Sequence, residues 1–229
     1  MNKYEKMFVR GALKLPAKVP AKMRFRAAAS FRGPRELLLD GYMTPVENQG
    51  ATPQCAAYSA STFAEAVLWR KNGYHRDIDP ARLYRYAKTI DGDPNGDGTY
   101  LECALKALLH FGYFDESKCG VGVIQGPLFG ALSGLNDVKY AIHKYGCCIA
   151  GFNISESWFA PRRGVVSGEG APQGGHAVTL CGYDEGGVLV QNSWGADYGH
   201  EGRIYLPNSA FEAEFMYAAV VTRCLDGIS

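Results

Sequence analysis

The chain has 229 residues, 47% of them hydrophobic and 21% charged, with a net charge of +1, 28 glycines and seven cysteines. That length buries a core without metals or disulfide staples, the composition excludes a disordered chain, and no apolar run approaches the roughly 18 residues of a membrane helix. The balanced total offers no general case for nucleic acid or an anionic membrane as partner, and the odd cysteine count leaves at least one thiol unpaired within the chain.

The charge is unevenly spread. Residues 1–35 carry ten basic side chains against the single acid Glu5, a charge of +9, so residues 36–229 sum to −8. This segment lacks the continuous apolar run of a secretory signal, which makes a cytoplasmic location the default expectation. It reads as a basic N-terminal arm, a solvated extension, a leader that covers a cleft or a nucleic-acid-binding tail; Pro16, Pro20 and Pro34 break any single helix through it.

Residues 55–71 place Ala56, Ala60, Phe63, Ala64, Val67 and Leu68 at helical spacing, and Asn72-Gly73 supplies a stop. Asp79-Pro80 predicts the cap and first turn of a second helix carrying Leu83, Tyr84 and Ala87. Thr99 with Glu102 predicts a capping box for a third helix, over Leu101, Leu105, Leu108 and Leu109, that stops at Gly112. Beyond it, short apolar or alternating runs at 147–154, 177–183, 187–191, 203–206 and 216–223 predict strands of a mostly antiparallel sheet or barrel.

Three segments carry chemistry. In PVENQGATPQCAAYSAS (45–60) a loop leads into the first helix with Cys55 at its start. The positive end of the helix dipole and the unpaired backbone N–H groups there favour a thiolate and a lowered pKa, although a small buried cysteine would fit the same position. In GGHAVTLCGYD (174–184) His176 opens a strand after two glycines, and in VLVQNSWGADYGHEG (188–202) Asn192 ends a strand just before Trp194. Each alone reads equally well as structural.

Together, PVENQG followed by Cys55, then GGHAV, GYD and NSWG, resemble the papain-like cysteine peptidases over roughly residues 36–225. His176 and Asn192 lie 121 and 137 residues after Cys55, close to the separation of about 130–150 in that family. The resemblance implies an α+β, two-lobed fold: a mainly helical lobe (36–125) with the nucleophile and a mainly β, barrel-like lobe (126–229) with the histidine and asparagine, forming one catalytic domain over 36–229. It implies that Cys55 attacks a peptide carbonyl, that His176 exchanges the proton, that Asn192 orients the ring, and that Gln49 with the Cys55 backbone N–H forms the oxyanion hole. Trp194 would shield the His–Asn contact, and Gly98 and Gly175 would border the substrate cleft. No metal or organic cofactor is required. The partner would be a peptide or protein substrate and the protein a monomer, with no nucleic acid and no membrane.

Departures from the family pattern alter the cleft walls and leave the catalytic positions in place. Thr52 stands three residues before Cys55 where secreted relatives have a cysteine, Pro53 and Gln54 replace small residues, Ala56 replaces an aromatic, and Tyr198 replaces a tryptophan. These resemble the divergent microbial branch. Two alternatives share the constellation: a pseudo-peptidase that only holds peptides, against which the four intact positions weigh, and acyl transfer from the same nucleophile to an amine. A separate pattern, DGDPNGDGTYLE (91–102), matches a calcium loop with Asp91, Asp93, Asn95 and Glu102 as ligands; turn and capping roles explain the same residues. The other six cysteines show no zinc spacing and are expected as free thiols.

Overall fold

A computed structural model describes residues 12–13, 31–73, 75–111, 113–115, 118–122, 124–125, 129–221 and 225–226. Strands β1 (Ala12–Leu13) and β2 (Leu37–Leu38) precede helices α1 (Cys55–Asn72) and α2 (Pro80–Asp91), and β3 (Thr99–Tyr100) runs directly into α3 (Leu101–Phe111). Strands β4 (Tyr113–Asp115), β5 (Lys118–Gly122), β6 (Ile124–Gln125) and β7 (Phe129–Leu132) follow, then α4 (Leu135–Tyr145), β8 (Cys148–Ser155) and β9 (Pro172–Tyr183). The chain closes with β10 (Gly187–Gln191), β11 (Arg203–Pro207), α5 (Asn208–Glu214), β12 (Phe215–Val221) and β13 (Leu225–Asp226).

Helix α1 buries Cys55, Ala56, Ala57, Ala60, Phe63, Ala64 and Leu68, so small residues let neighbours approach it on several sides. Its last turn ends at Gly73, whose φ of 75° is easy only for glycine and lets its N–H bond Trp69 O at 2.8 Å. Helix α2 begins as expected, the Asp79 carboxyl accepting the Arg82 N–H at 2.9 Å with Pro80 in the first turn. The capping box expected for α3 does not form. Thr99 lies in β3 and its hydroxyl donates to Asp91 (2.8 Å), while Glu102 pairs with Lys106 one turn on (2.6 Å). The first α3 amide, Leu101 N–H, donates instead to the Tyr217 hydroxyl at 3.1 Å, a partner 116 residues away. Gly112, the expected stop, lies outside the described residues.

The five expected strand runs all form one antiparallel sheet in the order β11-β10-β9-β8-β12-β7, with β2 also pairing β9. The sheet is not closed into the barrel-like lobe anticipated from the sequence. The outer edge of β11 is taken by the Gly164–Val166 segment: Tyr205 N–H donates to Gly164 O (2.8 Å) and Val166 N–H donates to Tyr205 O (3.1 Å). An edge so covered needs no partner strand. Helices α4 and α5, embedded in the β-rich half, were not anticipated. Strand β9 starts five residues before the expected run, which places His176 inside the strand and not at its opening.

Helix α1 is fixed to the sheet through the Thr179 hydroxyl of β9, which donates to Ser59 O at 3.0 Å. Two cross-strand rows then set up the site: Gly151 of β8 faces Ala177 of β9 and Tyr217 of β12, and Phe152 faces His176 and Phe215. At the other end of the chain β1 pairs in parallel with β3, Ala12 opposite Thr99 and Leu13 opposite Tyr100. No described helix is long and apolar enough to cross a membrane.

Candidate active site

The 45–60 and 188–202 segments are zipped together by their backbones. Gln49 N–H donates to Ser193 O (2.9 Å), Gly195 N–H donates to Glu47 O (3.0 Å), and Asn48 bridges Trp194. This pairing brings Gln49, Asn192 and Trp194 to one place although 143 residues separate Gln49 from Asn192. The Ser193 hydroxyl donates to Gln49 Oε1 (2.6 Å) and Gln49 Nε2 donates to Thr52 O (2.8 Å), so the amide is held at both ends and its nitrogen keeps a second N–H.

His176 Nε2 lies 2.7 Å from Asn192 Oδ1. The Ser193 N–H donates to the same Oδ1 at 2.8 Å, which identifies that atom as the carbonyl oxygen of the Asn192 amide. Oδ1 only accepts, so Nε2 must carry a proton, and in neutral His176 the lone pair is on Nδ1. The ring is enclosed by aromatics: Trp194 at 4.8 Å and 31°, and Trp158 edge-on at 6.0 Å and 83°. Trp194 is in turn stacked on Phe159 (5.7 Å) and met edge-on by Tyr198 (4.9 Å), whose hydroxyl donates to Trp158 O at 2.6 Å.

Cys55 is the first residue of α1 and is fully buried. Burial pushes its thiol up to about 12, opposed by backbone hydrogen bonds from Ala177, Ala56 and its own amide. Burial likewise pushes His176 down to about 4, opposed by its bond to Asn192. The lowered thiol pKa expected from the helix dipole is therefore not found in this enclosed site, because desolvation outweighs the helix terminus. Burial favours the neutral form of both groups. Burial pushes the Tyr217 phenol up as well, opposed by its bond to Leu101, and a charge on Cys55 would add to the rise.

Among the expected cleft residues, Gly175 faces Asn153 one position before His176 in β9. Gly98 adopts a φ of 77°, and its carbonyl accepts from Lys88 Nζ (3.0 Å) and the Tyr84 hydroxyl (3.3 Å). A cavity of about 500 Å³ lined by Glu156, Ser157, Ala160, Arg162, Val165 and Glu169 adjoins the Trp158 segment without reaching Cys55 or His176.

The calcium-loop residues are occupied otherwise. Asp91 is bonded to Lys88 Nζ (2.8 Å), to the Thr99 hydroxyl and to the Asp93 N–H, Asp93 caps the Gly96 N–H, and Glu102 pairs with Lys106. Among the described residues no group of three or more histidine, cysteine or acidic side chains could hold a metal ion. Cys103, Cys147, Cys148 and Cys181 are buried free thiols, as is Cys55. The partners that sequence reasoning missed are Ser193, Trp158, Glu214 and Tyr217. Only Ser193, inside the NSWG segment, carried a local signal.

A family model of papain family cysteine proteases matches residues 129–220. Papain from Carica papaya is 24% identical over 180 residues, 72% of this chain and 51% of papain, and mouse (Mus musculus) cathepsin K is 25% identical over 185 residues, 71% of this chain and 55% of its own. The chain thus spans about half the length of these relatives. Among solved structures, xylellain, a cysteine protease from Xylella fastidiosa, superposes with a TM-score of 0.74 at 17% identity, over 93% of this chain and 97% of that one. A procathepsin B from Trypanosoma congolense gives a TM-score of 0.75 at 17% identity, over 97% and 88%. Residues 129–220 thus match the papain family of cysteine proteases, and the fold is that of papain-like cysteine proteases.

Proposed function

We propose that the protein hydrolyses peptide bonds with Cys55 as nucleophile, His176 as proton carrier, Asn192 as orienting group and Gln49 as oxyanion donor. The observation that carries this is the His176–Asn192 bond, because it fixes the tautomer a cysteine base requires. With Nε2 protonated and held by Asn192, Nδ1 is the nitrogen that takes the Cys55 proton. The thiolate then adds to the peptide carbonyl carbon, and the negative oxygen is met by the second Gln49 Nε2–H and the Cys55 N–H. Such a donor is worth about 2.7–4 kcal/mol at the transition state. Collapse breaks the C–N bond, Nδ1–H gives its proton to the departing amine, and water attacks the thioester to release the acid.

Burial, which disfavours the charged form of both groups, favours a neutral pair before ionisation. Proton transfer from Cys55 to His176 creates two opposite charges side by side, and each then stabilises the other. Helix α1 and the N–H groups of Ala56 and Ala177 favour the same step.

The basic arm of residues 1–35 acts as a leader that covers the cleft. Support comes from β1, which adds a parallel strand to β3 immediately before Leu101, the residue bonded to Tyr217 near Cys55. The opposite charges of arm and body favour the same contact, and salt weakens it. The substrates are peptides or proteins. Arm-free protein should cleave a fluorogenic peptide mixture, and Cys55→Ala should abolish that cleavage; turnover that survives in Cys55→Ala would remove the assignment.

A further inference from the structure

Behind the imidazole the fold buries a carboxyl group that the proposed chemistry does not use. Glu214, the last residue of α5, is 5% exposed. Its Oε2 accepts the indole N–H of Trp158 at 2.6 Å and its Oε1 accepts the backbone N–H of Ser155 at 3.0 Å. Three residues before it and one after, Phe211 and Phe215 stack at 4.8 Å, and Phe152 meets both edge-on, at 5.4 and 6.1 Å. No cation pairs with Glu214 among the described residues. Burying a carboxyl group without a counter-charge is costly even when hydrogen-bonded, and an apolar side chain would fill the same space.

What Glu214 holds is Trp158, a fully buried ring that stands edge-on to His176. A phenylalanine could pack at this position without a polar partner. An indole tied at Nε1 by Glu214, with its own backbone carbonyl tied by Tyr198, has its plane fixed on both sides. His176 must keep Nε2 on Asn192 and present Nδ1 to Cys55, and rotation about the ring's side-chain bonds spoils both at once. Trp194 lies tilted against the imidazole at 31° and Trp158 meets it at 83°, so a fixed Trp158 adds a second wall against that rotation.

We propose that Glu214 is a positioning residue, acting through Trp158 to hold the His176 ring in the orientation that serves Cys55. The inference rests on the function proposed above. It separates Glu214 from a merely structural role, because it makes Trp158 and Glu214 one unit: removing either half removes the whole effect.

The test is two-step inactivation of arm-free protein by an epoxysuccinyl peptide, which resolves the binding constant KI from the chemical step kinact. Glu214→Gln and Trp158→Phe should each lower kinact on the order of tenfold with KI within about twofold, since a loosened ring costs chemistry and not binding. The double variant should be no slower than either single, within about twofold, as coupled residues require. Circular dichroism and melting curves establish that each variant is folded; should Glu214→Gln not fold, the apolar exchange Trp158→Phe still carries the kinact prediction. Unchanged kinact in the folded variants, or losses that multiply in the double, would overturn the inference while labelled wild type leaves the proposed function standing. No labelling of wild type at Cys55 would overturn both.

Discussion

Asn192 accepts two hydrogen bonds on one oxygen, from His176 Nε2 at 2.7 Å and from the Ser193 amide at 2.8 Å. The second bond locks the amide, and the locked amide dictates the histidine tautomer. Asn192→Ala should therefore lower kcat on a fluorogenic peptide by on the order of tenfold to a hundredfold, with KM little changed. The fold should lose about 2 kcal/mol, because two buried donors, His176 Nε2–H and Ser193 N–H, lose their acceptor. A fall in KM and kcat together, or a large loss of stability, would mean that Asn192 is chiefly structural.

The edge that receives β1 is anchored by a buried ion pair. Lys88 and Asp91 meet at 2.8 Å with side-chain exposures of 9% and 0%, and Lys88 also donates to the Gly98 carbonyl. Asp91→Asn leaves the ammonium uncompensated and should cost about 3–5 kcal/mol in urea unfolding. The double exchange Lys88→Met with Asp91→Asn should recover part of that loss, and a double variant worse than the sum would contradict the pairing.

Glu65 is 2% exposed in α1, where burial pushes its carboxyl up to about 7 against the hydrogen bond it accepts from Ile78 N–H (2.8 Å). A pKa raised on folding contributes stability that is present below the unfolded value, near 4.5, and is lost as pH rises through the folded one. Wild type should thus lose on the order of 2–3 kcal/mol from this group between pH 4.5 and pH 8. Glu65→Gln, which can still accept from Ile78, should show a flatter melting temperature over that range. Parallel curves would place the titration elsewhere.

Sequence and structure part company in an instructive way. Cys55, His176 and Asn192 stood out in the sequence through the motifs around them, PVENQG, GGHAV and NSWG, taken together, although each segment alone fits a structural role. Helix α4, which buries Val138, Ala141 and Ile142 at helical spacing, was not anticipated. The α3 cap was misread because Thr99 and Glu102 each found a different partner, Asp91 and Lys106. Glu214 and Trp158 lie 56 residues apart and meet only when β8 and β12 pair, so no spacing announces them. The upward push on the Cys55 thiol has a related cause: a helix terminus is visible in sequence, whereas complete burial of the sulfur is a property of the assembled site.

Burial that holds the Cys55 thiol near 12 should fall when the cleft opens. Removing residues 1–35 should lower the thiol pKa and raise its alkylation rate by iodoacetamide at pH 7 by roughly tenfold or more. High salt on the full chain should give part of that increase. Identical rates in all three conditions would show that the arm does not cover the nucleophile.

The most direct measurement is intact-mass and peptide mapping of reduced, arm-free protein after incubation with an epoxysuccinyl peptide. One adduct is predicted, on Cys55, absent in Cys55→Ala and slowed in Asn192→Ala. No adduct on Cys55, or equal modification of the other cysteines, would contradict a peptidase built on Cys55 and His176.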